Sequence, residues 1–191
     1  MDDANRLDLE FSTFNANTEY GLYGHHAEEM NVMNCSFTNN KFGFYVAHGE
    51  DSVLRNNTFN NNIYNFGNWG SKTSDFEWDI DTSNTINGKP IYYIVGASNL
   101  IFDETMDIGY LALISCDNIT VRNVSITHNY NGIALIDTTN STVTNCSISY
   151  CHYGISLVLS ENNVIDNCKS YNNSHGIFLY KASSNPVKTC Q

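Results

Sequence analysis

Proline is almost missing from this chain: two residues in 191. Positive charge is scarce as well. Nine Lys and Arg face 20 Asp and Glu, giving a net charge of −11 and a pI near 4.7. Nucleic-acid binding through phosphates needs a basic face, and nine scattered cations do not build one, so nucleic acid is excluded as a partner. No apolar run approaches the ~18 residues that a membrane-spanning helix needs. The opening "MDDANRLDLEF" has neither the basic n-region nor the apolar h-region of a secretory leader. Paired C-x₂-C spacing is missing too, which removes the usual zinc signal. Charged residues make up only 15% of the chain, low for a soluble domain.

What fills the chain instead is asparagine, 29 residues of it, with Ser, Thr, β-branched and aromatic side chains. Hydrophobic residues reach 41%, enough for a core. Few strong helix formers and many turn-prone polar residues point to strands and bends.

The arrangement repeats. Gly132, Gly154 and Gly176 are 22 residues apart, and Asn123, Asn145 and Asn167 keep that interval. Val121, Val143 and Ile165 follow it, as do Ile126, Ile148 and Ser170. Earlier, "YGLY" at Tyr20, "FGFY" at Phe42 and "YNFG" at Tyr64 repeat the pattern, with Asn34 to Asn56 and Phe37 to Phe59 in step. A period between about 20 and 50 residues marks a solenoid. Within the unit the alternation has period 2: Ile133 and Leu135 face one way, Ala134 and Ile136 the other. The expected fold is all-β, a right-handed parallel β-helix of about eight coils of roughly 22 residues. Coils stacked at about 4.8 Å would give a rod near 40 Å long. Ladder asparagines such as Asn145 suit bends with a left-handed backbone. The whole of 1–191 reads as one β-helix domain. An irregular stretch near 68–90 reads as a longer coil or protruding loop, because it keeps strand alternation but slips register.

Four groups of candidate site residues follow. Strand positions two and four past each repeat point should face outward. They give Tyr23 and His25, Tyr45 and Ala47, Gly67 and Trp69, Pro90 and Tyr92, then an apolar run ending at Phe178 and Tyr180. An apolar outer face marks a ligand surface or a covered one. The rings of Tyr23, Tyr45, Trp69, Tyr92, Phe178 and Tyr180 could stack on sugar faces; a neighbouring domain or a second copy could equally cover them. In "DFEWDID", a strand would set Asp75, Glu77, Asp79 and Asp81 on one face, an arrangement that suits Ca²⁺ or the paired carboxylates of glycoside hydrolysis. Its plain alternative is a solvated strand face. Lys72, Lys89, Arg55 and Arg122 are isolated, which speaks against a polysaccharide lyase. His26 and His48 should stack, with His25, Glu28, Met30 and Glu50 near; imidazole and thioether suit copper. His128, His152 and His175 read as surface residues out of register.

Cys146, Cys168 and Cys190 are 22 apart, with Cys35 in the equivalent earlier place. They read as reduced core thiols, since parallel stacked side chains make poor disulfide geometry. Cys116 and Cys151 stand alone. Sequons at Asn34, Asn118, Asn140 and Asn145 fall mostly on ladder positions and do not read as glycosylation sites.

The coil "GIALIDTTNSTVTNCSISYCHYGISL" resembles the NosD-like, or CASH, group of parallel β-helix repeat proteins. The stretch "DIDTSNTINGKPIYYIVGASNLIFDE" looks like a segment common in archaeal members, mostly secreted or cell-surface proteins. The resemblance implies the β-helix fold over nearly the whole chain. For function it implies a choice: the founding member is a periplasmic protein linked to copper-site assembly, and the wider group includes carbohydrate-binding proteins and sugar hydrolases. No catalytic motif of the group falls on residues here.

A strand pattern at the start and a C-terminal "KASSNPVKTCQ" inside a coil suggest a segment of a longer secreted or cell-surface repeat protein. The expected role is a scaffold or binding module presenting the aromatic face to a polysaccharide, a neighbouring domain or another copy. A polysaccharide-active enzyme using residues 75–81, a self-assembling surface protein, end to end or face to face, and a copper-handling protein are the alternatives. No cofactor is required by the first reading.

Overall fold

A computed structural model describes residues 5–191. The first four residues, part of the opening stretch read for a leader, lie outside it. The fold is a right-handed parallel β-solenoid of about eight turns. Repeat partners lie side by side as the interval requires: Val121, Val143, Ile165 and Val187 form one ladder, and Ile133, Ile155 and Ile177 another. Asn123, Asn145 and Asn167 bend the chain with φ of 56°, 55° and 50°. The Asn167 amide donates to the Asn145 side-chain oxygen at 2.7 Å.

A second set of asparagines points inward. The Asn57 side-chain oxygen accepts from the Cys35 backbone N–H, and its amide donates to the carbonyl of Val32. Asn62, Asn84 and Asn163 act alike. These buried amides satisfy backbone groups that a sharp bend leaves without a sheet partner.

The turns do not form one continuous stack. Residues 5–86 build a first solenoid whose inner face carries Phe37, Phe44, Phe59 and Phe66. The chain then reverses at Asn87 and Gly88, whose φ values of 48° and 81° make a tight hairpin. Strand Lys89–Val95 therefore runs antiparallel to Thr85–Ile86, while every later pairing is parallel again. A nine-stranded sheet passes through this point without a break, from Thr13–Asn15 to His175–Tyr180.

Handedness dictates the consequence. In a right-handed coil, strand direction and inward direction together fix the direction of stacking. Here strand direction reverses while stacking continues the same way, so the inward side must switch to the opposite face of the sheet. The side chains show that it does. Ala112, Ile114, Ala134, Ile136 and Val158 belong to the core of the first solenoid, with Phe66 and Trp78. Their neighbours Leu111, Leu113, Ile133, Leu135 and Leu157 belong to a separate second core. The apolar outward face expected for the later coils is thus largely covered, by the last turn of the first solenoid.

The six cysteines are free thiols, and Cys35, Cys116, Cys146, Cys151 and Cys168 are buried. Their Sγ atoms lie near backbone carbonyls, as between Cys146 and Thr144 at 3.3 Å.

Candidate ligand-binding corner

Two surfaces meet at an inner corner. One is the outer face of the three-stranded sheet Tyr20–His25, Phe42–Ala47 and Tyr64–Trp69. The other is the end of the nine-stranded sheet, where Tyr153 of the buried strand Tyr153–Val158 meets the partly exposed strand His175–Tyr180. On the first surface Tyr20 stacks on Phe42 at 4.9 Å, Phe42 lies 5.0 Å from Tyr64, and Tyr23 stacks on Tyr45 at 6.1 Å. The next rung after Tyr45 is Gly67. A Cβ there would sit 2.1 Å from Cβ of Tyr130, so only glycine lets this ring of the second solenoid take the vacant rung. Tyr130 lies 4.6 Å from Tyr45 and stacks on His152 at 4.7 Å. Trp69 meets Phe178 and Tyr180, each at 5.5 Å, and Tyr153 stacks on Phe178 at 4.3 Å.

The sheet edge at Tyr64–Trp69 is sealed by the same contact. The Asn65 N–H donates to the His128 carbonyl and the Tyr130 N–H to the Phe66 carbonyl. Burial pushes the Tyr45 phenol up to about 12, and pushes Tyr130 higher still, helped by the neighbouring Tyr45 hydroxyl. Burial, with His175 beside it, lowers the pKa of His152. His152 is therefore a half-buried member of the seam rather than a surface residue.

Tyr23, Tyr45, Trp69, Phe178 and Tyr180 all reach this corner. Tyr92 does not. The strand after the hairpin is set one residue out of the expected register: Tyr93 pairs with Ala112 and Tyr92 with Leu111. Tyr92 consequently turns to the second core, 5.9 Å from Phe102. Tyr93 takes the covered face, donating to the Phe76 carbonyl at 2.6 Å. Tyr20, Phe42, Tyr64, Tyr130 and Tyr153 are corner residues that the expected positions omit. Tyr20, Phe42 and Tyr64 were visible as aromatics opening three successive repeat units.

The four carboxylates do not share a strand face. Asp75 falls in a 3-10 turn, Thr73–Phe76, and is fully buried. It accepts from the backbone N–H of Ser71 at 2.7 Å and of Lys72 at 3.2 Å, and its Oδ2 lies 3.1 Å from Nδ1 of His48. Glu77, Asp79 and Asp81 do alternate outward, with Trp78 and Ile80 inward. Arg55 pairs with both Asp79 and Asp81, so it is not isolated. Lys72 pairs with Glu50, Lys89 with Asp107 and Arg122 with Asp103.

His26 and His48 stack at 5.0 Å with 13° between planes, and His25 packs edge-on to both. Nitrogens on nearly parallel rings that far apart do not converge on one ion at bonding distances of about 2 Å. Among the described residues no group of three or more His, Cys, Asp or Glu is placed to hold a metal.

This geometry defines a folded-over parallel β-solenoid with an aromatic inner corner. The chain belongs to the right-handed β-helix family: the model described as "Right handed beta helix region" matches residues 82–191. The model described as "Periplasmic copper-binding protein (NosD)" matches residues 1–96. The copper in that description finds no fitting donor set here, since the nearly parallel stacked imidazoles do not converge on one ion. No curated protein matches the chain. A crystal structure of a mutant of the periplasmic alginate epimerase AlgG is similar at 10% identity and a TM-score of 0.40, covering 100% of this chain and 46% of that one. Among the described residues no helix is long and apolar enough to cross a membrane.

Proposed function

We propose that this chain is a secreted or cell-surface β-helix that binds a carbohydrate polymer along its inner corner. The observation that carries the reading is a run of partly exposed rings continuing across the junction. It passes from Tyr20, Tyr23, Phe42 and Tyr45 on one wall to Trp69, Tyr153, Phe178 and Tyr180 at the other. Some of each ring is spent on packing the two solenoids together. What remains open is flat and apolar, which suits a pyranose that offers C–H groups on its faces. Stacked coils hold the rings rigidly, so little side-chain entropy remains to be lost on binding. The periplasmic description of the family matching residues 1–96 supports an extracytoplasmic setting.

The chemistry proposed is binding without turnover. Arg55 pairs with two of the three exposed carboxylates of 75–81, and the third, Glu77, makes no ion pair among the described residues. The test is a glycan array probed with the purified chain, with and without Ca²⁺, alongside Trp69→Ala. Binding that Trp69→Ala weakens supports the reading. Binding to no glycan, or binding indifferent to Trp69→Ala, defeats it.

A further inference from the structure

The chain reversal leaves a cavity of about 360 Å³ on the flank of the corner, lined by Asn61, Asn62, Ile63, Asn87 and His128. It has three sources: a bend of the first solenoid, the hairpin, and a bend of the second. Asn61, Asn87 and His128 all have a left-handed backbone, φ of 55°, 48° and 60°, at these three bends.

Its polar groups divide cleanly. Asn62 is committed, accepting from the Asn40 N–H and donating to the Phe37 carbonyl and the Asn65 side chain. The Asn87 side-chain oxygen accepts from the Asn61 N–H at 3.0 Å, which fixes that amide in place. Its NH₂ group, and the whole side-chain amide of Asn61, make no hydrogen bond among the described residues. One wall is apolar: Ile63 is 57% exposed, and the His128 ring is backed by Tyr150, stacked at 5.1 Å. None of the lining residues is an acid, a lysine or an arginine.

We propose that this cavity binds one neutral pyranose unit, as the end subsite of the polymer held along the corner. The proposal rests on the carbohydrate-binding reading above. Size agrees with a single ring, at the small end of the range for ligand pockets. An amide offers a donor and an acceptor side by side, the pattern that adjacent sugar hydroxyls match. The lack of cationic lining disfavours a uronate, whose carboxylate would lose its hydration without gaining a partner. The cavity adjoins the corner through Tyr64. Tyr64 follows Ile63 in the chain, its hydroxyl lies 3.5 Å from that of Ser174, and its ring is 6.1 Å from His152 in the seam.

Saturation-transfer NMR with the methyl pyranosides of glucose, galactose and mannose, and with methyl glucuronide, tests this on the intact chain. Asn61→Gly removes the amide at a left-handed position that glycine adopts without strain. Transfer to at least one neutral glycoside is expected, weakened about tenfold in Asn61→Gly, the scale of one lost hydrogen bond. Transfer that survives Asn61→Gly, or that methyl glucuronide receives equally, overturns the proposal. Silence from all four glycosides also overturns it. If Trp69-dependent binding to an array glycan persists, the corner reading survives that failure; if it does not, both fall.

Discussion

The Tyr130 ring occupies the place where a side chain on Gly67 would be, 2.1 Å from Cβ to Cβ. One residue belongs to the first solenoid and the other to the second, so this pair is the point where the two halves of the chain lock. Gly67→Ala cannot be absorbed by rotating a flexible side chain, because the clash is with an atom fixed to the Tyr130 backbone. The variant should lose about 1–3 kcal/mol, the usual cost of overpacking. For a chain of this size each kcal/mol lowers Tm by roughly 2–4 °C. A thermal melt reads the loss directly, and an unchanged Tm would mean that Tyr130 does not sit in that rung.

Asp75 anchors the 3-10 turn by accepting two backbone N–H groups and facing His48. Asp75→Ala leaves those two partly buried donors without their acceptor, at a cost of about 1–3 kcal/mol in all. Asp75→Asn keeps one acceptor oxygen and should be milder. Denaturant unfolding of both variants gives the comparison, and equal stabilities would contradict the anchoring role.

The seam should make stability depend on pH through His152. Its pKa is held below the ordinary 6.5, first by burial and then by His175. The unfolded chain therefore takes up the proton more readily. Stability is complete above the ordinary 6.5 and declines as the pH falls from there toward the lowered folded value. His152→Phe keeps a ring against Tyr130 and cannot titrate. Melts between pH 7.5 and pH 5 should show the wild type losing more than the variant; parallel curves would remove His152 from the effect.

Copper gives a separate test, because one matching family is described by that metal. The His26 and His48 rings lie stacked and nearly parallel, 5.0 Å apart. After titration with Cu²⁺ and desalting, the chain should retain far less than one equivalent, and His48→Gln should not change the amount. One retained equivalent, lost in His48→Gln, would show that the rings rearrange around the ion.

The repeat was legible because each coil restates the same inward positions, and a ladder of Ile or Val leaves one way to stack. The reversal was harder to read. Thr85 to Val95 keeps its alternation on both sides of the turn, so periodicity carries straight through it. Only the dipeptide Asn87–Gly88 marks the hairpin, a known local signal that the longer pattern outweighs. One residue of slip at that turn sends Tyr92 inward and brings Tyr93 to the covered face. Asp75 was misread for a related cause: "DFEWDID" alternates on paper, but its first residue closes a turn before the strand begins. The junction residues Gly67 and Tyr130 are 63 positions apart, and no local pattern links them.

Because the switch of faces happens at one hairpin, the two walls of the corner can change length independently. An extra 22-residue unit inserted among the later coils would extend one wall by a single strand spacing, about 4.8 Å, and leave the lock between Gly67 and Tyr130 untouched. The architecture is in that sense a caliper with one fixed jaw. Its reach is written in the number of repeats, and duplication or deletion of a unit would retune it in even steps.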